Sequence, residues 1–187
     1  TAGQRCPCSA ILSAVTEKPV TVDVTVSDTL NVRTHERQDT MNVVQVRPAG
    51  PGDLAQVSCI YAHFVRTSVA TFDLDVPPAA YWEPKLDSAA PGDHFLVACQ
   101  QDNVVGFAYS GSFRPRHAYD RTRETSVYVA QTAAGRGLGT RLYGALLDLL
   151  RADDVHLVVA MVAEPNPASN RLHRRLGFNE VGTLDEV

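Results

Sequence analysis

Residues 126–140 read SVYVAQTAAGRGLGT, and they decide the fold because a strand-like run passes through three glycines into a helix. Gly135, Gly137 and Gly139 let the backbone turn tightly and let a ligand approach the amides without obstruction by a Cβ atom. The helix that follows offers unpaired N–H groups and the positive end of its dipole in its first turn. Together these features predict a cradle for a pyrophosphate group.

Two common phosphate-binding motifs do not fit this sequence. A G-x-G-x-x-G fingerprint that starts at Gly135 or Gly137 would have Thr140 or Leu142 where the last glycine belongs. A P-loop requires Gly-Lys followed by Ser or Thr, and the sequence contains no such triplet. A plain helix start enriched in glycine remains the alternative, because glycine favours turns for conformational reasons alone.

Hydrophobic patterning predicts strands on both sides of the glycine turn. Apolar or alternating runs typical of strands occupy residues 43–47, 95–99, 104–109, 125–130, 155–162 and 181–184. The run at 155–162 is continuously apolar, which predicts a strand covered on both faces. Residues 100–103 are predicted to form the turn of a hairpin.

Helical spacing occurs in three segments. Asp53 is predicted to cap a first helix, and the apolar face of that helix consists of Leu54, Val57, Ile60, Tyr61 and Phe64. The helix after the glycines carries a stripe of leucines: Leu138, Leu142, Leu146, Leu149 and Leu150. Asn166 is predicted to cap a last helix, with Pro167 at its first position and Gly177 at its end. This order of elements predicts an α/β fold with a mixed sheet.

Composition narrows the class of protein. The chain has 187 residues, of which 44% are hydrophobic and 20% charged, as expected for one ordinary globular domain. A net charge of −4 without a basic run argues against a nucleic-acid partner. No stretch approaches the roughly 20 apolar residues that cross a bilayer, so no membrane partner is expected. Cys59 and Cys99 lie in apolar runs typical of buried thiols, which favours a reducing cytoplasm.

Residues 1–41 differ from the rest in being polar and rich in Thr, Val and Ser. Residues 21–26 alternate in polarity and predict a single strand. We interpret residues 1–41 as an appended segment, disordered or loosely attached, with Met41 as an alternative start for the domain at 42–187. Cys6 and Cys8 form a C-x-C pair without a second pair at zinc spacing, so no metal is expected.

Two motifs resemble those of one enzyme superfamily. GRGLGT at 135–140, after the strand-like SVYV at 126–129, resembles the acetyl-CoA loop of the GNAT superfamily of N-acetyltransferases. NPASNRLHRRLGF at 166–178 resembles the second CoA-contacting segment of that superfamily. Both motifs in this order, about 30 residues apart, are more specific than either alone.

Further similarity points to one branch. VRTSVATFD at 65–73, and RHAYD at 116–120 followed by ETSVYV, are similar to the phosphinothricin N-acetyltransferase branch, and the resemblance covers residues 46 to about 184. It implies a GNAT fold, in which helices flank a mixed, mostly antiparallel central sheet, with acetyl-CoA as co-substrate and a homodimer. The sequence departs from the family pattern in two places, and only a modest loss is expected from the first, because the cradle works through backbone amides. Ala134 stands where the superfamily usually has Arg or Gln, and family members continue past Val187, so the final strand is expected to be truncated.

The resemblance assigns two catalytic candidates. Acetyl transfer from a thioester requires that the amine lose a proton, and a proton for the leaving thiolate helps. Glu124 matches the family's general base, with a solvated edge carboxylate as the alternative. His173 stands where many GNAT enzymes have a Tyr that protonates the thiolate. It is expected to act as acid or orienter, with a surface histidine as the alternative.

Binding residues follow from the same resemblance. The acetyl-CoA site is expected to comprise Val127, Tyr128, Val129, Arg136, Gly137, Leu138, Gly139, Thr140, Asn166 and Ser169. Within it, the backbone of Val127 and Val129 is expected to pair with the pantetheine amides, and Asn166 either contacts pantetheine or only caps its helix. The amine site is expected to comprise Thr71, Phe72, Tyr109, Arg116 and Tyr119, with core packing as the alternative for the aromatics. Lys85, Arg114 and Arg121 are interpreted as solvated surface charges.

The predicted activity is acetyl-CoA-dependent acetylation of the amine of a small acidic amino acid or analogue, of the phosphinothricin or methionine sulfoximine type. Two alternatives remain open: acetylation of another amine, such as a polyamine or a peptide N-terminus, and a truncated domain that binds CoA without turnover.

Overall fold

The computed structural model describes residues 44–184 and the backbone of residues 9–16. Its strands are β1 (Ser9–Thr16), β2 (Val44–Pro48), β3 (Phe95–Gln100), β4 (Asn103–Ser112), β5 (Thr122–Val129), β6 (Leu157–Glu164) and β7 (Asn179–Leu184). Its helices are α1 (Leu54–Thr67), α2 (Glu83–Leu86), α3 (Leu138–Ala152) and α4 (Pro167–Arg175). None of the helices in the described part combines the length and apolar character that crossing a bilayer requires.

All seven strands form one sheet, in the order β2-β3-β4-β5-β6-β1-β7. Neighbouring strands run antiparallel except β5 and β6, which are parallel in the described residues. The predicted mixed, mostly antiparallel sheet flanked by helices is thereby confirmed. Segment 9–16 lies between β6 and β7, whereas the predicted strand at 21–26 falls outside the described residues.

Alternation along the strands divides the core between the two faces of the sheet. On one face, Leu96 and Ala98 pack with the apolar stripe of α3. On the other face, Phe95 and Val97 pack with α1 and with the fully buried Trp82. Different helices therefore cover the two faces of the sheet, and β5, as a strand of that sheet, has α3 on one face and α1 on the other.

Most predicted elements are confirmed, with boundaries shifted by a few residues. The hairpin β3–β4 turns through residues 101–102, and α2 is a short helix of four residues. Gly177 has φ +87°, a left-handed conformation that ends α4 as predicted. Strand β5 begins at Thr122, three residues before the predicted start, because Thr122 already pairs with Leu157 of β6.

Three expectations about side chains were wrong. Asp53 does not cap α1 with its side chain. Its carboxylate accepts hydrogen bonds from Arg47 at 2.7 and 2.8 Å and from the Gly50 amide at 2.7 Å, which tie β2 to the start of the helix. Cys59 is exposed, because it lies on the outer face of α1, while Cys99 is buried. Strand β6 is not covered on both faces as predicted, because the Met161 residue on it is 37% exposed.

The leucine stripe of α3 provides a stability test. Leu146 is fully buried, whereas Leu149 on the same helix is 37% exposed, against the prediction that both are buried. We expect Leu146→Ala to lower the free energy of unfolding by about 2–5 kcal/mol, since it removes buried methyl groups and leaves a cavity. Leu149→Ala is the matched control and should cost much less. Urea unfolding of both variants measures the difference, and equal losses would contradict this packing.

Candidate functional site

The site lies where strands β5 and β6 cease to pair and diverge, which gives the sheet a V-shaped fork. Their parallel pairing extends from Thr122 opposite Leu157 to Glu124 opposite Val159. Beyond this point both strands continue, but within the described residues β5 is paired only with β4, and β6 only with β1. A gap therefore opens within the sheet, and one edge of β5 faces it without a strand partner from the part of the chain that the structure describes.

Backbone alternation determines which groups face the gap. The Ala130 amide donates to the Val105 carbonyl of β4 at 2.9 Å. Because N–H and C=O groups of successive strand residues point to opposite edges, those of Val127 and Val129 point away from β4 and into the gap. Unpaired backbone groups are costly when they are shielded from water, so they are placed to pair with an extended ligand that carries amides.

A buried hydrogen-bond chain holds the base of the fork. The Thr125 hydroxyl lies 3.3 Å from the Val159 carbonyl, which can only accept. The Tyr143 hydroxyl from α3 lies 2.5 Å from the Thr125 oxygen and therefore donates to it. Burial raises the pKa of Tyr143, so the phenol stays protonated as this chain requires. The strands are thereby tied together where their pairing ends.

The glycine turn lies at the open end of the fork. Gly135 and Gly137 have φ of +77° and +73°, which L residues with a side chain rarely adopt, and Gly137 directly precedes α3. A Cβ atom at either position would meet open space, so conformation rather than crowding requires glycine there. The first turn of α3 thus presents its free N–H groups toward that space, as the sequence predicts for an anion site.

These elements enclose a cavity of about 460 Å³. Its walls include all but one of the residues predicted to bind acetyl-CoA: Val127, Tyr128, Val129, Gly137, Leu138, Gly139, Thr140, Asn166 and Ser169. The remaining one, Arg136, is exposed between two glycines of the cavity wall. Sequence reasoning missed Phe64 and Met161, which also line it. In the sequence, each is recognisable only as an apolar residue of the predicted core.

Helix α4 forms one wall, and its start is fixed by Asn166. The Oδ1 atom of Asn166 accepts from the Ser169 amide at 3.1 Å, which confirms the predicted N-cap. Glu164 braces the same turn by accepting from the Asn166 amide at 3.0 Å and from Asn170 Nδ2 at 2.5 Å. The Nδ2 group of Asn166 remains as a donor beside the cavity.

His173 is held in one orientation inside this wall. It is only 5% exposed, which excludes the surface-histidine alternative. Its Nδ1 lies 2.8 Å from the Ser169 carbonyl and must donate, so in the neutral ring Nε2 is the acceptor. Desolvation by burial lowers the pKa of His173, which keeps the ring neutral near pH 7.

Glu124 stands at the base of the fork, as the last β5 residue that pairs with β6. Its side chain is half-buried, and this burial raises the pKa of its carboxyl, with the charge of Arg114 partly opposing. Alternation puts Glu124 on the same face of the sheet as Ser126 and Tyr128, which line the cavity. A carboxylate with a raised pKa is a stronger base than an ordinary surface Glu.

The predicted amine-site residues lie on the α1 face and in two loops. Tyr109 is opposite Ser126 in the β4–β5 register, and burial raises its pKa to about 12. Thr71 donates to the Tyr61 hydroxyl at 2.5 Å, because that hydroxyl donates to Asp73 at 2.6 Å. Phe72, Arg116 and Tyr119 are exposed, and none of the five predicted amine-site residues is among the described residues that line the cavity.

Two of the three presumed surface cations do lie on the surface, whereas Lys85 does not. Its side chain is half-buried, and Nζ lies 4.3 Å from the ring centroid of Tyr81 and 5.2 Å from that of Tyr109. The expectation for Lys85 was wrong because the fold brings the Tyr109 ring of β4 next to the Tyr81 ring, which lies four residues before Lys85. Arg121, by contrast, pairs with Asp154 in solvent, and Arg114 is exposed.

Comparisons with known proteins identify the family of this chain. The family model described as Acetyltransferase (GNAT) family matches residues 61–178. A phosphinothricin N-acetyltransferase of Streptomyces coelicolor is 40% identical, with 77% of this chain and 86% of the relative covered. An L-methionine sulfoximine/L-methionine sulfone acetyltransferase of Pseudomonas paraeruginosa is 36% identical, over 76% and 84%.

A solved structure of a relative shares the fold of this chain. The GNAT superfamily phosphinothricin acetyltransferase from Sinorhizobium meliloti, in complex with acetyl-CoA, superposes with a TM-score of 0.70 at 31% identity. The similarity covers 74% of this chain and 76% of that one.

The buried chain at the fork can be tested by a double-mutant cycle. Thr125→Val should lower the free energy of unfolding by about 1–3 kcal/mol, because it leaves the buried Tyr143 hydroxyl without an acceptor. Adding Tyr143→Phe should cost less than the sum of the two single changes, since no unpaired hydroxyl then remains. Denaturant unfolding measures all four proteins, with the exposed Thr132→Val as control. Additive losses would disprove the coupling.

Proposed function

Because the chain belongs to the acetyltransferase (GNAT) family and is an N-acetyltransferase that uses acetyl-CoA, we propose that it acetylates the amine of a small acidic amino acid or analogue. We expect acceptors of the phosphinothricin or methionine sulfoximine type, because the relatives are named for these substrates. The observation that carries the proposal is the half-buried Glu124 at the base of a gap whose edge offers unpaired backbone groups.

The gap accounts for how acetyl-CoA is held. The backbone groups of Val127 and Val129 bind the pantetheine amides as an added strand, and the first turn of α3 binds the pyrophosphate. Thr140 and Ser169 supply hydroxyls beside it, and Asn166 adds its free Nδ2 donor. Arg136 contributes positive charge from the turn. Bound in this way, the thioester carbonyl lies close to β5 and is polarised by its amides.

Glu124 accepts the proton that the amine must lose. The free amine nitrogen attacks the thioester carbonyl carbon, the C–N bond forms and the C–S bond breaks. The products are the N-acetyl amino acid and the thiol of CoA. The amine proton passes to the Glu124 carboxylate, directly or through water, and then to solvent, while the CoA thiolate takes a proton from solvent. Burial of Glu124 increases its basicity and so favours this transfer.

His173 acts as an orienting group rather than as an acid. A neutral ring whose only proton is on Nδ1, directed at the Ser169 carbonyl, has no proton on Nε2 to give to a thiolate. The Nε2 lone pair can instead accept a hydrogen bond. Contacts with Tyr143 and Phe178, at ring distances of 5.3 and 4.9 Å, lock the ring, so that His173 sets the position of α4 and its contacts.

The acceptor lies on the α1 face of the sheet, where Glu124 and Ser126 point. Tyr109 forms the floor, Thr71 and Phe72 approach from the loop after α1, and Arg116 and Tyr119 approach from the loop before β5. Arginine suits a planar carboxylate because its donors form a rigid fork. Arg116 is therefore assigned to the α-carboxylate of the amino acid.

The primary experiment measures release of free thiol from acetyl-CoA with a panel of acceptors. Phosphinothricin, methionine sulfoximine and methionine sulfone are expected to be acetylated, whereas a polyamine and a peptide N-terminus are expected to react slowly. Calorimetric titration of CoA runs in parallel. CoA binding without thiol release for any acceptor would favour a binding domain, and release with only the polyamine or the peptide would reassign the substrate.

Glu124→Gln should separate catalysis from binding. It removes the base, so kcat should fall by about 10²–10⁴-fold, with the Kd for CoA nearly unchanged. In the native enzyme, protonation of Glu124 stops the reaction, so the rate should fall as the pH drops through its raised pKa. This acidic limb should vanish in the variant. The exposed Glu180→Gln is the control, and unchanged turnover in Glu124→Gln would remove Glu124 from the mechanism.

A further inference from the structure

The ammonium group of Lys85 has no role in the steps above, although it lies beside the proposed acceptor site. The short helix α2 carries it, and its Nζ faces the rings of Tyr81 and Tyr109 at 4.3 and 5.2 Å from their centroids. A cation over aromatic faces is attracted by the ring electrons but is not neutralised by them. In the part of the chain that the structure describes, no carboxylate forms an ion pair with Lys85.

The acidic group whose field reaches Lys85 is engaged elsewhere. Burial lowers the pKa of Lys85, and the charge of Asp73 opposes this in part. The Asp73 carboxylate, however, accepts a 2.6 Å hydrogen bond from the Tyr61 hydroxyl, which directs it at α1. A half-buried ammonium without a close counter-ion is costly for a folded protein, and such a cost is met most readily by an anionic ligand.

The position of Lys85 relative to the fork identifies the ligand. Tyr109, over which Nζ lies, is opposite Ser126, and Ser126 lines the cavity. Glu124 is two residues before Ser126, on the same face of the sheet. An amino acid whose amine reaches Glu124 can therefore extend its side chain across the Tyr109 ring toward Lys85.

We propose that Lys85 binds the anionic side-chain group of the acceptor and thereby selects anionic over uncharged side chains. The inference rests on the proposed function, because it specifies which acceptor type that site prefers. Phosphinothricin carries a phosphinate anion, whereas the sulfone and sulfoximine groups are uncharged near neutral pH. With Arg116 at the α-carboxylate, two cations match the two anionic groups of the preferred acceptor.

Steady-state kinetics of Lys85→Met and Lys85→Arg tests this selection with phosphinothricin and methionine sulfone as paired acceptors. Met keeps the apolar stem without the charge, and Arg keeps the charge. Lys85→Met should lower kcat/KM for phosphinothricin about tenfold to a hundredfold, mainly through KM, as expected when a hydrogen bond to a charged group is lost. The value for methionine sulfone should change by less than about threefold, and Lys85→Arg should restore much of the loss.

Controls separate selection from a structural role of Lys85. Arg151→Gln removes a positive charge from α3, on the opposite face of the sheet, and should leave both acceptors unchanged. An equal loss for both acceptors in Lys85→Met, accompanied by a lower unfolding midpoint, would overturn the inference and leave the proposed function intact. If Lys85→Met leaves the ratio of kcat/KM for phosphinothricin to kcat/KM for methionine sulfone unchanged, the inference is likewise overturned. If the native enzyme acetylates neither amino acid, the proposed function itself fails, and the inference fails with it.

Discussion

The functional arrangement of this protein depends on the point at which β5 and β6 cease to pair. Three register positions hold the strands together, and the last is Glu124 opposite Val159. Directly beyond it, the Tyr143–Thr125–Val159 hydrogen bonds replace the backbone ladder. A sheet that stayed paired would satisfy its own backbone groups and leave no edge for a ligand. A sheet that parted earlier would lose the support that positions Glu124.

Because successive residues of β5 point to opposite sides, the strand can bind a ligand with its backbone edge and present side chains to a second molecule. Thr125, Val127 and Val129 direct their backbone groups into the gap and their side chains toward the α3 side, where Val127 and Val129 join the apolar core. Glu124, Ser126 and Tyr128 direct their side chains to the α1 side, where Tyr128 packs against Tyr61. One short strand can thus hold an extended ligand by its edge while it presents a base to a second molecule on one face.

Local sequence rules predicted the parts of the site that depend on neighbouring residues. The glycine turn, the Asn166 cap and the leucine stripe of α3 follow from positive φ, capping and helical period, which need no knowledge of the rest of the fold. The fork could not be predicted in this way, because the apolar runs of β5 and β6 do not reveal where their pairing ends. Family resemblance, not periodicity, assigned the backbone of Val127 and Val129.

Contacts made in the folded chain explain the two wrong expectations about charged residues. Asp53 has the residue type of a cap, but the nearby guanidinium of Arg47 offers two charge-assisted donors, which outweigh one backbone amide. Lys85 has the residue type of a surface cation, but Tyr109 of β4 and Tyr81 before α2 converge on it. In each case a charge was assigned by its type, while its role depended on groups that only the folded chain brings together.

Glu124 and Lys85 carry charges of opposite sign on the α1 face, and in the described part of the chain they form no ion pair with each other. Glu124 and Lys85 are both half-buried, and burial shifts each pKa toward the uncharged form. Were they in direct contact, their attraction would favour the charged forms, and the carboxylate would become a weaker base. Tyr109 lies beneath Lys85 and opposite Ser126, and it keeps a neutral phenol on this face because its own pKa is raised to about 12. Separation of base and cation by an uncharged aromatic floor preserves the basicity that proton removal requires, and it leaves the ammonium group available to an anion from outside the chain.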